Sequence, residues 1–184
     1  MKEFPRIEGE RIVLRKLEVF DLDSYLEYVR DVQIRKQFNF EYTEKTATER
    51  FNELIKRYDE ERKPFVWVIA SLENDNLLGI ISADDYSFVN KSFSLACGVM
   101  ERYRGHGYAY EAARYLISYI FTHLGMHRLE IAHNIDNIAS QKTIEKMGAK
   151  FEGIARQSKY YDGEFKDRKI YSILKNEWLK KEEC

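Results

Sequence analysis

The spacing of apolar and polar residues predicts both strands and helices in the first half of the chain. Arg11–Leu17 alternates apolar and polar side chains, as an antiparallel strand does. Phe65–Leu72 is rich in β-branched and aromatic residues and predicts a strand, with a hairpin partner at Leu77–Phe88. Helices are predicted at Leu22–Arg30, with Asp21 as a candidate N-cap, and at Ala47–Arg62, where apolar residues recur three and four positions apart.

The second half places a long helix between two apolar strands. Ser92–Met100 predicts a strand, Tyr108–Leu124 a helix that Gly125 ends, and His127–His133 the next strand. Two strands joined only by a crossover helix are expected to be parallel. The remaining predicted elements are a short helix and two strands that an Asp-Gly turn connects: Ile138–Met147, Lys150–Tyr161 and Phe165–Trp178.

These elements predict an α+β fold. The expected sheet is mixed, mostly antiparallel and seven-stranded, with about four helices. Residues 31–47 have no clean period and are predicted to form a loop with a short helical turn. The chain has 184 residues and no repeat or linker, so we expect one domain over residues 1–184.

Composition narrows the function. Thirty basic and thirty-one acidic side chains leave a net charge of −1, which argues against a nucleic-acid binder. No apolar run is long enough to span a membrane and no apolar leader segment precedes Phe4, so cytoplasm is the expected location. Cys97 and Cys184 make no disulfide framework, and none of the four histidines has metal-ligand spacing, so no metal is predicted.

The stretch between the strand at 92–100 and the long helix carries the clearest chemistry. Arg102, Arg104, Gly105 and Gly107 form the pattern R-x-x-G-x-G. Glycines let the backbone approach a ligand closely, and the first amides of a helix attract anions. Together with the two arginines, the glycines and the helix amides predict a pyrophosphate site. The alternative is a tight strand-to-helix turn with solvated arginines, since neither of the common nucleotide fingerprints is present.

Two motifs resemble one family. The glycine pattern is similar to the [Q/R]-x-x-G-x-[G/A] loop of the GNAT acetyl-CoA-dependent N-acetyltransferases, and the segment RYRGHGYAYEA resembles the subgroup that acetylates ribosomal-protein N-termini. The segment His133–Arg156 resembles that subgroup's second signature, with Ala149 in place of the usual aromatic residue. The matching positions in it are Asn134, Asn137, Ser140, Gly148, Glu152 and Gly153. The chain is therefore identified as a GNAT member over roughly residues 8–175.

The resemblance implies acetyl-CoA as co-substrate, bound where two central parallel strands splay apart in a V. It also implies direct acetyl transfer from the thioester, without an acyl-enzyme. The residues expected to bind the coenzyme are Cys97, Gly98, Val99, Arg104, Gly105, His106, Gly107, Tyr108, Ala109, Asn137, Ser140 and Lys142.

Several of these residues have a plainer alternative. For Cys97, the role of a small buried apolar residue is favoured over that of a nucleophile. Asn137 suits a helix N-cap as well as a coenzyme contact. Lys142 and Lys146 suit solvated helix charges. For Ser140 the resemblance implies a place near the coenzyme sulfur, where its hydroxyl would assist departure of the thiolate.

The general base is the least defined part of the prediction. An attacking amine must lose a proton, and a carboxylate usually accepts it. Some relatives carry a glutamate on the strand after the glycine signature, but the matching position here holds Lys159. Asp84 and Asp85 are the predicted substitutes. They are adjacent in a strand, so at most one of them can point into the site.

The predicted function is acetyl transfer to a primary amine, with the N-terminal α-amino group of a ribosomal protein as the favoured acceptor. Alternatives are acetylation of a small polyamine or an aminoglycoside, and a non-catalytic CoA-binding module. An acidic cleft would favour the polycation, and an open groove would favour a protein terminus. Residues 31–47 and 157–167 are expected to shape the acceptor site. The sequence leaves open whether the chain forms a homodimer.

Overall fold

The computed structural model describes residues 4–38, 42–60, 65–161 and 163–182. Within these ranges it contains eight strands and six α-helices. The strands are β1 (Ile7–Glu8), β2 (Ile12–Arg15), β3 (Val66–Ser71), β4 (Leu77–Ser87), β5 (Ser92–Val99), β6 (Arg128–Asn134), β7 (Lys150–Tyr161) and β8 (Glu164–Leu174). The helices are α1 (Leu22–Arg30), α2 (Val32–Phe38), α3 (Glu44–Arg57), α4 (Tyr108–His123), α5 (Ile138–Lys146) and α6 (Lys175–Glu182).

The chain divides into two compact units. The first comprises the described residues of Met1–Ser82 together with Cys97–Ala113. Its strands pair antiparallel in the order β1, β2, β3, β4; Val13 lies opposite Ala70, for example. The second unit comprises Ala83–Ala96 and the described residues of Arg114–Cys184.

One apolar core holds the first unit together. Tyr25 and Val29 of α1, Phe51 of α3 and Val68 of β3 are all less than 4% exposed and belong to one packed cluster. The apolar spacing that predicted the helix at 47–62 is therefore the spacing that buries one face of α3. A reciprocal capping box between Thr43 and Thr46 begins α3.

In the second unit, β5 pairs parallel with β6, β6 antiparallel with β8, and β8 antiparallel with β7. The parallel ladder joins Ser92–Ser94 to Arg128–Glu130 and stops there. Both strands nevertheless continue beyond it. A splay between two parallel strands requires such an early end of pairing.

The predicted α+β class and its mixed, mostly antiparallel strands with one parallel pair are confirmed, but the counts are not. The prediction of seven strands omits β1, which is only two residues long. The predicted loop at 31–47 contains α2, which Asp31 begins by accepting hydrogen bonds from two backbone amides, those of Gln33 and Ile34. The second predicted helix, Ala47–Arg62, is α3 at Glu44–Arg57, and residues 61–62 lie outside the described residues.

The last predicted strand, Phe165–Trp178, is wrong beyond Leu174. Helix α6 begins at Lys175, and Glu177 accepts a hydrogen bond from the Leu174 amide at 3.3 Å. Trp178 is 2% exposed and donates through Nε1 to the Ser118 hydroxyl at 2.9 Å. The spacing of four between Leu174 and Trp178 suits a strand or a helix, so the hydropathy pattern alone could not place this boundary.

None of the helices in the described ranges has both the length and the apolar character needed to cross a bilayer.

Two backbones of the first unit approach closely next to the glycine loop. A Cβ built on Gly79 of β4 would lie 2.3 Å from the Gly98 carbonyl oxygen of β5. Close by, the Met100 amide donates to the Leu78 carbonyl at 2.9 Å. The end of β5 is thus seated against β4 with no room for a side chain between them.

Gly79→Ala is therefore expected to lower the free energy of unfolding by roughly 3 kcal/mol or more, because backbone must move to admit the methyl group. The matched control is Gly125→Ala. Gly125 has φ of +67° and nothing within 4 Å of an added Cβ, so only backbone strain of about 1–2 kcal/mol is expected. Urea denaturation measures both losses. A loss for Gly79→Ala no greater than that for Gly125→Ala would contradict this close packing.

Candidate active site

The glycine loop, residues 101–107, joins β5 to α4. It begins with a short 3-10 turn at Glu101–Tyr103. Gly105 and Gly107 have φ of +79° and +84°, a region that costs other residues about 1–2 kcal/mol. Nothing lies within 4 Å of an added Cβ at Gly105, and at Gly107 the nearest atom is Arg11 Nη2 at 3.5 Å. Backbone conformation, and not crowding, therefore requires these glycines.

The N-terminus of α4 presents backbone amides beside this loop. The first bond of the helix recorded there runs from the Glu111 amide to the Gly107 carbonyl at 3.0 Å. The amides of Tyr108 and Ala109 come before it and have no carbonyl one turn earlier to bond. The helix dipole adds positive potential at this end. The structure thus brings the predicted pyrophosphate-binding residues, from Arg104 to Ala109, into one anion-binding geometry.

His106 lies on the exposed side of the loop. Its Nδ1 is 2.9 Å from the Arg104 carbonyl oxygen, and its ring stacks on Tyr108 with centroids 6.1 Å apart. These two contacts hold the side chain against the loop, and His106 as a coenzyme-binding residue stays a prediction.

A brace between Arg11 and Glu111 holds the loop from one side. Glu111 is 7% exposed and lies in the first turn of α4. Its carboxylate accepts the Arg11 backbone amide at 2.7 Å and Arg11 Nε at 2.8 Å. Arg11 Nη1 also donates to the His106 carbonyl at 3.0 Å. Sequence reasoning missed this brace, because its partners lie 100 positions apart, although Glu111 stands in the segment RYRGHGYAYEA.

Asp31 holds the loop through its second arginine. Arg104 donates through Nη2 to Asp31 Oδ2 and through Nε to the Val99 carbonyl at 3.0 Å. The Glu101 amide donates to the same Asp31 oxygen at 3.2 Å. Burial would raise the pKa of Asp31, but the hydrogen bonds from Arg104 and from backbone amides outweigh it and lower that pKa below its ordinary value.

The other arginine of the motif, Arg102, pairs with Glu27 of α1 and lies over the ring of Tyr103. About half of both the Arg102 and Glu27 side chains is exposed. Both motif arginines therefore have carboxylate partners. Their charges are therefore partly compensated, and the backbone amides at the start of α4 add positive potential beside them.

Cys97, Gly98 and Val99 end β5 next to the loop. Gly98 and Val99 are buried and Cys97 is partly buried. Burial raises the pKa of the Cys97 thiol to about 12, so the thiol is protonated at pH 7 and is a poor nucleophile. This favours the interpretation of Cys97 as a small packed residue.

In the second unit, Asn137 and Ser140 lie at the start of α5. Asn137 Oδ1 accepts the Ser140 amide at 3.0 Å and so caps the helix. The cap uses the Ser140 backbone and not its hydroxyl, for which no partner is recorded in the described part of the chain. The helix-cap alternative therefore applies to Asn137, and the hydroxyl of Ser140 is left for another role.

The predicted lysines are exposed. Lys142 and Lys146 both lie on the solvent side of α5. The Lys146 carbonyl accepts a hydrogen bond from Lys181 Nζ at 2.6 Å. Their exposure agrees with charged residues on the solvent face of a helix. The role of Lys142 as a phosphate ligand stays a prediction.

Asp84 and Asp85 are exposed residues of β4. Asp85 has φ of +46° and accepts the Ser94 hydroxyl at 3.0 Å. Lys159, at the position of the family glutamate, lies in β7 opposite Lys166. No carboxylate replaces the missing glutamate at that position.

A carboxylate that sequence reasoning missed lies in β8, next to the Lys166 that faces Lys159. Asp167 lines a concavity of about 520 Å³ together with Arg156 and Gln157. Its Oδ1 accepts the Gln157 amide at 2.8 Å, where a bulge in β7 gives Gln157 a φ of +49°. Its backbone carbonyl accepts the amide of Ile135, the residue after β6, at 3.1 Å. The bulge could not be read from sequence, because no glycine or proline marks it.

His133 of β6 is 4% exposed and stacks on Tyr171, with centroids 5.6 Å apart. Its Nδ1 lies 2.8 Å from the Asn134 carbonyl oxygen, and its buried Nε2 has no hydrogen-bond partner among the described residues.

Across residues 4–38, 42–60, 65–161 and 163–182, no three histidine, cysteine or acidic side chains are grouped so that they could hold a metal ion.

Comparison with known proteins agrees with this geometry. The family model of the acetyltransferase (GNAT) domain matches residues 11–150. The chain is 29% identical over 173 residues to the "Putative ribosomal N-acetyltransferase YdaF" of Bacillus subtilis, covering 92% of this chain and 94% of that protein. It is 22% identical over 108 residues to a spermidine N(1)-acetyltransferase of Vibrio cholerae, covering 59% and 62%.

Among solved structures, a GNAT-family acetyltransferase from Bacillus anthracis superposes with a TM-score of 0.81. The match covers 94% of this chain and 99% of that one at 24% identity, which supports the fold alone. The family model spans most of the chain and includes the glycine loop and the start of α5. The chain therefore belongs to the GNAT acetyltransferase family.

Proposed function

We propose that this GNAT acetyltransferase binds acetyl-CoA with its pyrophosphate on the backbone amides of residues 104–109 and transfers the acetyl group to the N-terminal α-amino group of a ribosomal protein. The observation that carries the coenzyme site is the glycine loop at the start of α4. Its two glycines have positive φ, and the amides that follow precede the helical hydrogen bonds.

Gly107→Val is expected to weaken acetyl-CoA binding at least tenfold, because a branched side chain strains the loop and fills the space that the phosphates need. Calorimetry with acetyl-CoA measures the affinity. Gly125→Val is the matched control, since it places the same side chain at a positive φ outside the loop. Equal acetyl-CoA affinity in Gly107→Val and the parent would show that the loop is not the site.

The ribosomal acceptor is supported by the resemblance of the second signature and by the similarity to YdaF, which is named as a ribosomal N-acetyltransferase. The concavity of Arg156, Gln157 and Asp167 offers one charge of each sign. A polycation is best bound by several carboxylates without a neighbouring arginine. A peptide terminus needs fewer charges and also uses backbone contacts.

Polyamine acetylation remains the second candidate, since the spermidine acetyltransferase resembles part of this chain. A panel of N-terminal peptides of ribosomal proteins, spermidine and an aminoglycoside, assayed with acetyl-CoA, distinguishes the acceptors. We expect the highest kcat/KM with one of the peptides. A spermidine kcat/KM above that of every peptide would reject the ribosomal acceptor and keep the acetyltransferase. Coenzyme binding with no transfer to any acceptor would favour a non-catalytic module.

For the chemical step, the acceptor nitrogen attacks the thioester carbonyl, the carbon–sulfur bond breaks, and the departing thiolate takes up a proton. The Ser140 hydroxyl is the group that we place near that sulfur. Asp84 or Asp85 is proposed to relay the proton that the amine loses, and Asp167 is a third carboxylate for this role. Burial keeps the Cys97 thiol protonated at neutral pH. A protonated thiol is a poor nucleophile, so direct transfer is favoured over an acyl-enzyme at Cys97.

Ser140→Ala is expected to lower kcat by roughly ten- to a thousandfold with little change in acetyl-CoA affinity, since it removes a contact made mainly in the transition state. The matched control is Thr143→Ala, which removes a hydroxyl that bonds the Ala139 carbonyl on the same helix. Steady-state kinetics and calorimetry separate the two effects. The pH–rate profile should rise towards alkaline pH if loss of the amine proton limits the reaction.

An unchanged kcat in Ser140→Ala, with a lower melting temperature, would assign the residue a structural role. Asn137→Ala shows the size of that structural effect, because loss of the cap should cost about 1 kcal/mol.

One domain over the whole chain and a cytoplasmic location stay predictions. The single domain is supported by β4 and β5, each of which runs from one compact unit into the other.

A further inference from the structure

Asp31 lies between α1 and α2 and accepts more hydrogen bonds than a helix cap needs. Its Oδ1 takes the amides of Gln33 at 2.9 Å and Ile34 at 3.3 Å, which begins α2. Its Oδ2 takes Arg104 Nη2 and, at 3.2 Å, the Glu101 amide. The Asp31 side chain is only 9% exposed. One buried carboxylate thus joins a helix start to the glycine loop, about seventy positions later in the chain.

Arg104 is fixed at two of its three nitrogen atoms. Nη2 bonds Asp31 and Nε bonds the Val99 carbonyl. An arginine has five N–H donors in a rigid plane, so bonds at Nε and Nη2 orient the whole group. The side chain remains 30% exposed. Its remaining donors keep one direction, which favours contact with an anion beside Gly105 without loss of rotamer freedom on binding.

We propose that Asp31 is a positioning residue for the coenzyme, which holds Arg104 and the start of the glycine loop in the conformation that binds the pyrophosphate. The inference rests on the proposed coenzyme site and adds to it a residue that lies outside both sequence motifs. Asp31 acts through Arg104 and the Glu101 amide and does not touch the coenzyme. The same carboxylate begins α2, so the position of α2 and that of the loop depend on each other.

Asp31→Asn separates the two roles of the carboxylate. Asparagine caps helices as well as aspartate does, so α2 keeps its start. The second oxygen becomes an NH₂ group, which is a donor and faces the donors of Arg104 and Glu101. The Kd for acetyl-CoA, measured by calorimetry, should rise about ten- to a hundredfold, the scale for losing a hydrogen bond between charged groups. In steady-state kinetics the loss should appear in the KM for acetyl-CoA more than in kcat.

Glu27→Gln is the matched control. It also neutralises a carboxylate of the α1 region that pairs with an arginine of the loop, but that pair is half exposed. Its Kd for acetyl-CoA should stay within about twofold of the parent value, because exposed ion pairs contribute little. A Glu27→Gln effect as large as that of Asp31→Asn would mean that only the net charge near the loop matters, which would overturn the proposal.

A double-mutant cycle with Arg104→Met tests whether Asp31 acts through Arg104. In the Arg104→Met background, Asp31→Asn should change the Kd less than about threefold, because the interaction has already been removed. Additive effects would overturn the proposal, as would a Kd in Asp31→Asn equal to that of the parent. A melting temperature that falls while the Kd stays at the parent value would make Asp31 a helix cap only.

Acetyl-CoA binding by the parent protein distinguishes failure of the Asp31 proposal from failure of the coenzyme site on which it rests. If the parent binds acetyl-CoA and Asp31→Asn binds it equally well, only the role of Asp31 is wrong. If the parent does not bind acetyl-CoA, the coenzyme site and the Asp31 proposal are both overturned.

Discussion

Charge pairing between carboxylates and arginines determines where the glycine loop lies. Glu111 holds Arg11 against the His106 carbonyl on one side. Asp31 holds Arg104 against the Val99 carbonyl on the other. Two positive-φ glycines would otherwise leave the loop with more conformational freedom than an anion site can use, since glycine loses the most backbone entropy on ordering. The carboxylates supply the order that the glycines lack, and the amides at the start of α4 depend on it.

This pairing changes how the motif is expected to bind an anion in the proposed coenzyme site. Read alone, the R-x-x-G-x-G pattern suggests two arginines reaching for phosphate. In the folded chain both guanidinium groups have carboxylate partners. In the proposed site a phosphate would therefore contact oriented backbone amides and an arginine that is already paired with Asp31. Such a site favours an anion by preorganisation more than by net charge. It also agrees with the composition, in which acidic and basic residues nearly cancel.

The catalytic half of the proposal depends on fewer contacts. Asn137 caps α5 by accepting the Ser140 amide, so the Ser140 hydroxyl is not needed for this cap. Proton transfer from the amine has more than one candidate carboxylate, because Asp84 and Asp85 are exposed and Asp167 lines a concavity of mixed charge. Acetyl transfer between bound partners is served mainly by positioning, and a modest proton acceptor is sufficient for it.

The sequence by itself determined what depends on local periodicity and on short motifs. Helix α1, most strand positions, the glycine loop and the Asn137 cap follow from hydrophobic spacing and from residue types with one preferred role. Only the tertiary structure decided what depends on residues far apart in the chain. No pattern in the sequence assigns Asp31 or Glu111 a bonding partner, and the β7 bulge at Gln157 has no glycine or proline to mark it. Their roles arise from hydrogen bonds that close loops of ten to a hundred residues, and such partners are chosen by the packing of the whole fold, which no local pattern records.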